Sequence, residues 1–166
     1  VLTLHRPSNV DDKEAFMRIL DALEQIGERI SLVFPLHPRT RARAEEFGLT
    51  ARLESIPNIV LTGPAGYLDF VALMAESKLV LTDSGGLQEE TTALGIPCLT
   101  LRENTERPIT VTEGTNTIVG NSTQAILDAA HDILDKGGKA GRIPELWDGN
   151  TAERIADVIV DVISED

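Results

Sequence analysis

The segment best suited to chemistry is Asp83-Ser84-Gly85-Gly86, which follows an apolar run and precedes a predicted helix. Glycines in the first turn of a helix leave backbone N–H groups accessible, and the helix dipole adds positive potential there. A diphosphate can therefore approach closely, and the Ser84 hydroxyl can donate a further hydrogen bond. Glu90 lies one helical turn beyond Gly86, where its carboxylate can accept from both hydroxyls of a ribose. The alternative is a structural Ser-Gly-Gly turn followed by solvated glutamates.

His5 and Arg6 form a second candidate group, directly after the first predicted strand. An imidazole can neutralise or protonate a departing phosphate oxygen, and an arginine can bind that oxygen bidentately. His37 occupies the corresponding position after the second predicted strand. A histidine at a strand end is more often structural than catalytic, so the pair gains significance only if it faces the Ser84 turn.

Short apolar strands alternate with helices along the chain, and this predicts an α/β fold with one doubly wound parallel sheet. We expect a single Rossmann-like domain over residues 1–166, with helices on both faces of the sheet. The predicted strands are residues 1–4, 32–34, 59–62, 79–82, 98–101 and 117–119. Ligands of such sheets lie beyond the carboxyl ends of the strands. All the candidates above follow strand ends, so the topology predicts that they share one crevice.

Apolar residues at helical spacing predict which helix faces meet the core. In an early helix the expected core residues are Phe16, Ile19, Leu20, Leu23 and Ile26. In the last helix they are Ile155, Val158, Ile159 and Val162.

The composition excludes several classes of function. Fifteen Lys and Arg against 27 Asp and Glu give a formal net charge of −12, which predicts no nucleic-acid partner and no anionic membrane partner. No apolar run is long enough to cross a bilayer. The single Cys98 cannot form an internal disulfide, which favours a reducing, cytoplasmic setting. No spaced set of His and Cys indicates a metal site, and no P-loop is present.

Several motifs, in their order, resemble those of the non-hydrolysing UDP-N-acetylglucosamine 2-epimerases. They are Thr3-Leu4-His5-Arg6, Phe34-Pro35-Leu36-His37-Pro38, Tyr67-Leu68-Asp69-Phe70, residues 81–90, Thr105-Glu106-Arg107-Pro108 and Gly114-Thr115-Asn116. The resemblance covers essentially the whole chain. It implies the C-terminal half of a GT-B-type enzyme, whose substrate lies between two Rossmann-like halves.

The resemblance also implies a reaction and a role for each candidate. The family inverts C2 of UDP-N-acetylglucosamine to give UDP-N-acetylmannosamine, through elimination of UDP and re-addition, without a metal or nicotinamide cofactor. His5 is implied as the catalytic residue at the leaving diphosphate. The implied substrate-binding residues are Arg6, His37, Phe70, Ser84, Gly85, Gly86, Glu90 and Arg107. Among them, Ser84, Gly85 and Gly86 would hold the diphosphate, Glu90 the ribose and Phe70 the uracil. Arg6 and His37 would lie near the substrate or near a second, activating UDP-sugar.

Two positions depart from the family pattern, and one part of the enzyme is not present. Ser8 and Ile109 stand where relatives commonly have Glu, which bears on the identity of the sugar. The chain opens directly on a strand at Val1, which we interpret as a fragment boundary. The proton-transfer carboxylates of the family belong to the N-terminal domain, so we expect the isolated chain not to catalyse epimerisation. The resemblance further implies a homodimer of full-length chains.

Four alternatives stay open from the sequence. The donor-binding half of a GT-B glycosyltransferase also binds a UDP-sugar at a helix N-terminus, and hydrolysing epimerases share similar motifs. A non-enzymatic UDP-sugar-binding module would keep the site without turnover. A phospho-acceptor domain built on Asp83 lacks the paired acidic residues expected near the end of the first strand.

Overall fold

Six parallel strands and nine helices make up residues 1–164, the part of the chain that the computed structural model describes. The strands are β1 Leu2–Thr3, β2 Leu32–Pro35, β3 Ile59–Thr62, β4 Val80–Thr82, β5 Cys98–Thr100 and β6 Asn116–Ile118. The helices are α1 Pro7–Val10, α2 Lys13–Gly27, α3 Pro38–Glu46, α4 Thr50–Glu54, α5 Tyr67–Ala75, α6 Gly85–Leu94, α7 Pro108–Thr112, α8 Thr123–Lys136 and α9 Thr151–Ser164. All six predicted strands are present. Helices α1, α4 and α7 have at most five residues and show no helical periodicity in the sequence.

The strands are arranged in the order β3-β2-β1-β4-β5-β6. Parallel ladders join β2 to β3 and run from β1 through β4 and β5 to β6. This order reverses direction between β1 and β4, which makes that pair the switch point where doubly wound folds bind ligands. The predicted doubly wound topology is therefore confirmed.

The sheet differs from the prediction in one respect, because its hydrogen bonding is interrupted between β1 and β2. These strands are neighbours, yet no ladder joins them among the described residues. The β1 ladder has only two residues, and the carbonyl of Leu4 beyond it accepts the buried hydroxyl of Thr40 from α3. A side chain thus takes the place of a backbone donor there.

The core is formed where the sheet meets α2 and α8. All five apolar residues predicted to face inward from α2 are buried, and Phe16 is fully inaccessible. Helix α2 packs on α8, whose Ile126 and Ala130 are also fully buried. A second group of packed helices, α5 and α6, lies against the strands through α6. These layers fix the position of the carboxyl end of β1 relative to that of β4.

The prediction for α9 is wrong. Its apolar residues Ile155, Val158, Ile159 and Val162 are 55%, 61%, 51% and 61% exposed, and no residue of the helix is buried. Helical periodicity indicates an apolar face but carries no information about what covers it. Among the helices of residues 1–164, none is both long and apolar enough to span a bilayer.

Candidate nucleotide-binding site

The turn from β4 into α6 has an open N-terminus. Ser84 is the N-cap residue in extended conformation, and its hydroxyl makes no capping hydrogen bond. Gly85 and Gly86 form the first turn of the helix. A Cβ on Gly86 would meet no atom within 4 Å, and one on Gly85 would meet only Glu106 Oε2 at 3.9 Å. The packing of the chain therefore does not require glycine at these two positions. An anion that approaches the backbone N–H groups closely would require it, because a side chain there would stand in its way.

An open cleft of about 270 Å³ lies in front of this turn. Its lining residues are Thr3, His5, Pro35, His37, Pro64, Ala65, Phe70, Ser84 and Leu87. The structure thus brings together four of the predicted site residues, from the ends of β1, β2 and β4 and from α5. This confirms the prediction that the strand ends converge on one crevice for His5, His37 and Ser84.

Asp83 connects the two sides of the switch point. Its side chain is fully buried and accepts the backbone N–H of His5 on both carboxylate oxygens, at 3.1 Å each. It also accepts the backbone N–H of Arg6 at 2.9 Å and the amide of Asn9 at 3.2 Å. Finally, His5 Nδ1 lies 3.1 Å from Asp83 Oδ1, a close contact without hydrogen-bond geometry. Asp83 therefore fixes the backbone of the His5 segment and contacts its ring.

This role of Asp83 is not predicted by the sequence, in which Asp83 is a candidate only as a phospho-acceptor. The available signal was an acidic residue at the carboxyl end of a buried strand with no charged partner nearby in sequence. Such a residue must find hydrogen-bond donors from elsewhere in the chain, because burying an unpaired carboxylate is costly.

The two imidazoles of the cleft are neighbours. The ring centroids of His5 and His37 are 5.5 Å apart, with the planes tilted by 37°. His37 is the N-cap residue of α3, and its Nδ1 accepts the backbone N–H of Arg39 at 3.1 Å. Helix α3 accordingly begins at Pro38, directly after this cap.

The other predicted site residues lie outside the cleft lining. Arg6 is partly buried, and its Nε donates to the carbonyl of Asp83 at 3.3 Å. Glu90 is also partly buried on α6, where burial raises its pKa and the charge of Glu89 raises it further. Arg107 Nε lies 2.9 Å from Glu89 Oε1, without hydrogen-bond geometry. These side chains surround the α6 N-terminal half rather than the floor of the cleft.

A buried polar network ties α6 to the segment after β5. Gln88 Nε2 donates to the carbonyl of Ser84 at 3.1 Å, and Gln88 Oε1 accepts from Thr105 at 2.5 Å and Asn116 at 3.0 Å. In the same segment, hydrogen bonds from Arg102 lower the pKa of Glu106 to about 2. Gln88 was not among the predicted residues, although it holds this segment beside the Ser84 turn.

The two departures from the family pattern lie near this site. Ser8 is exposed and lines a polar pocket of about 220 Å³ together with Asn9, Arg102 and Asn121. Ile109 is partly buried on α7. Within residues 1–164, no cluster of three or more His, Cys, Asp or Glu side chains is arranged to hold a metal ion.

These features define a class of protein: a Rossmann-like α/β domain with an uncapped, glycine-containing helix N-terminus at its switch point. The sequence model of a family described as UDP-N-acetylglucosamine 2-epimerase matches residues 1–160. The chain therefore belongs to the UDP-N-acetylglucosamine 2-epimerase family.

Curated relatives agree with this assignment. The UDP-N-acetylglucosamine 2-epimerase of Methanocaldococcus jannaschii is 41% identical over 161 residues, which are 96% of this chain and 43% of that protein. The UDP-2,3-diacetamido-2,3-dideoxy-D-glucuronate 2-epimerase of Pseudomonas aeruginosa is 42% identical over 135 residues, which are 81% of this chain and 36% of that protein. The chain thus spans less than half the length of these relatives.

Solved structures give the same result for the fold. The Methanocaldococcus jannaschii UDP-GlcNAc 2-epimerase in complex with UDP-GlcNAc and UDP matches with a TM-score of 0.86 at 40% identity, covering 96% of this chain and 44% of that one. The Neisseria meningitidis UDP-GlcNAc 2-epimerase bound to UDP-GlcNAc matches with a TM-score of 0.81 at 34% identity and the same coverages. The predicted fold, a Rossmann-like half of a GT-B-type enzyme, is confirmed by these likenesses.

Proposed function

We propose that this chain supplies the UDP-binding half of a UDP-N-acetylglucosamine 2-epimerase. The whole enzyme would interconvert UDP-N-acetylglucosamine and UDP-N-acetylmannosamine by eliminating UDP and adding it back. Because the chain spans 43% of the Methanocaldococcus jannaschii relative, the reaction is proposed for a longer protein that contains it. The 166 residues alone are expected to bind UDP without turnover.

The observation that carries this proposal is that the uncapped N-terminus of α6 opens into the same cleft as His5. The Ser84 hydroxyl and the first-turn N–H groups offer donors to a diphosphate, and the imidazole of His5 can neutralise charge on the oxygen that leaves the sugar. A chain with a net charge of −12 needs such local positive potential to hold an anion.

The remaining contacts are proposed from the positions of the side chains. Phe70 lines the cleft from α5 and offers an aromatic face to uracil. Glu90 would accept hydrogen bonds from the ribose hydroxyls. Its carboxylate is partly buried, so that part of it is accessible to water in the free chain and to a ligand in the complex. Arg6 would bind phosphate, and Arg107 would use the guanidinium N–H groups that its ion pair with Glu89 leaves accessible.

The identity of the sugar is proposed less directly than the nucleotide. One relative is named for UDP-N-acetylglucosamine and another for a diacetamido-glucuronate, and both names share UDP and inversion at C2. The polar pocket beside Ser8 and the replacement at Ile109 are the positions where sugar choice would differ. The family assignment and the named relatives favour epimerisation over glycosyl transfer.

The reaction is tested on a longer protein that contains this chain, incubated with UDP-N-acetylglucosamine in D₂O. Proton NMR is expected to show UDP-N-acetylmannosamine with deuterium at C2, because re-addition follows protonation from solvent. Ser84→Ala should slow its formation, whereas Ser122→Ala, which alters the exposed N-cap of α8, should not. UDP release that requires an acceptor would instead indicate a glycosyltransferase, and free N-acetylmannosamine a hydrolysing epimerase. UDP binding without any product would indicate a binding module.

The cytoplasmic setting and the homodimer of full-length chains stay predictions. Both concern the longer protein, and analytical ultracentrifugation of that protein tests the second.

A further inference from the structure

The two imidazoles of the cleft differ in what meets their Nδ1 atoms. His37 Nδ1 faces a hydrogen-bond donor, the backbone N–H of Arg39. His5 Nδ1 faces an acceptor, the carboxylate of Asp83. A neutral imidazole carries one proton, on either Nδ1 or Nε2, and the partner of one nitrogen decides which. The surroundings of each ring therefore determine what it presents to the cleft through Nε2.

His37 is held in the form that has its proton on Nε2. Its Nδ1 accepts the Arg39 N–H at 3.1 Å. Arg39 lies in the first turn of α3, where backbone N–H groups have no partner within the helix. A proton on Nδ1 would remove that acceptor and bring two hydrogens together. In this tautomer the Nε2–H of His37 is a hydrogen-bond donor.

His5 is held in the opposite form. Its Nδ1 lies 3.1 Å from Oδ1 of Asp83, which is fully buried and already accepts the backbone N–H groups of His5 and Arg6. An Nδ1 lone pair at this distance from a carboxylate would be repelled, whereas an Nδ1–H is attracted. The proton of the neutral ring therefore belongs on Nδ1, which leaves Nε2 as a free proton acceptor.

We propose that the cleft contains a pair of histidines fixed in opposite tautomers, with Asp83 as the positioning residue for His5. His5 presents an unprotonated Nε2, which can accept a hydrogen bond or a proton from a group in the cleft. His37 presents an Nε2–H, which can donate a hydrogen bond to a substrate oxygen. The roles of the two rings toward a UDP-sugar rest on the proposed function, whereas the tautomers themselves do not.

The test is nitrogen NMR of the two rings in the 166-residue chain, without nucleotide. The sequence contains only three histidines, so two-bond ¹H–¹⁵N correlations can be assigned to all six ring nitrogens. Spectra are recorded at a pH high enough that they no longer change. We expect a protonated Nδ1 and an unprotonated Nε2 for His5, and the reverse for His37. A His5 ring protonated on Nε2, or a His37 ring protonated on Nδ1, would overturn the proposal.

Asp83→Asn tests the positioning role. The amide oxygen at position 83 can still accept the backbone N–H groups, but its NH₂ group would face His5 Nδ1 as a donor. We expect His5 to shift to the Nε2–H form while His37 stays unchanged. An unaltered His5 ring in a folded variant would contradict the role of Asp83. If the variant does not fold, the wild-type spectrum alone decides the tautomers. A failure to bind UDP would count against the proposed function and leave these spectra untouched.

Discussion

Asp83 accepts the backbone N–H of His5 on both of its carboxylate oxygens, although the two residues are 78 positions apart in the chain. The contact joins the carboxyl ends of β1 and β4, where the strand order reverses. The histidine segment and the Ser84 turn are thereby held on either side of one cleft. Their relative position follows from the buried carboxylate of Asp83, which must accept hydrogen bonds from the His5 segment.

Asp83→Ala is expected to destabilise the chain by roughly 3 to 5 kcal/mol, because the partly or fully buried donors of His5, Arg6 and Asn9 all lose a charged acceptor. Urea unfolding followed by circular dichroism measures the loss. The control is Asp135→Ala, which removes an exposed ion pair with Arg29 and should cost far less. Equal losses for the two variants would mean that the Asp83 contacts contribute little to stability.

Glu90→Gln is expected to stabilise the unliganded chain at pH 7. Burial, and then the charge of Glu89, raise the pKa of Glu90 in the folded state, so its ionised form is less favourable there than in the unfolded chain. The penalty is present above the folded pKa, fades as the pH falls through it, and is absent below the ordinary value of 4.5. The gain in urea midpoint should therefore disappear in acid.

The same substitution should weaken UDP binding at pH 7 by roughly tenfold or more, because a charged acceptor for the ribose is lost. Isothermal titration calorimetry measures the affinity. The matched change Glu54→Gln, at an exposed position at the end of α4, should alter neither stability nor affinity. A Glu90→Gln chain that binds UDP as tightly as the wild type would remove Glu90 from the site.

His37→Ala should lower the unfolding free energy by about 0.5 to 2 kcal/mol, because the first turn of α3 loses its capping acceptor. His37→Asn should recover most of this loss, since an asparagine side chain also caps helices well. Thermal unfolding of the three proteins checks the order. If alanine and asparagine were equally destabilising, the cap would not explain the position of this ring.

Ile159→Ala on α9 and Ile126→Ala on α8 should differ sharply in effect. Ile126 is fully buried, so its truncation is expected to cost about 2 to 5 kcal/mol. Ile159 is 51% exposed, so its truncation should change stability by less than about 0.5 kcal/mol. Urea unfolding of both variants measures this. A large loss for Ile159→Ala would mean that the α9 face is covered in solution.

Those parts of the fold that depend on local pattern were predictable. The six strands and the inward face of α2 follow from apolar spacing, and the convergence of His5, His37 and Ser84 follows from the rule that parallel strands share their carboxyl edge. Arg6, Glu90 and Arg107 do not line the cleft. Arg6 turns back onto the carbonyl of Asp83, Glu90 lies in the second turn of α6, and Arg107 pairs with Glu89.

Features that depend on long-range partners were not predictable. The Asp83 carboxylate accepts the N–H of Arg6, which lies 77 positions earlier in the chain and follows the neighbouring strand, and no spacing in the sequence encodes that hydrogen bond. For α9 the amphipathic pattern is as clear as that of α8, but α2 covers α8, whereas no side chain of α9 is buried within residues 1–164. An amphipathic pattern indicates which face of a helix is apolar, but it does not identify the surface that covers this face.

The central claim, that UDP binds at the Ser84 turn, is tested most directly by titrating the ¹⁵N-labelled chain with UDP. We predict saturable shifts at the amides of Gly85 and Gly86, with affinity reduced roughly tenfold in Ser84→Ala, where a hydrogen bond to a charged phosphate is lost. Ser122→Ala, at the exposed N-cap of α8, should bind as the wild type does. Shifts that map elsewhere, or an affinity unchanged by Ser84→Ala, would contradict the account.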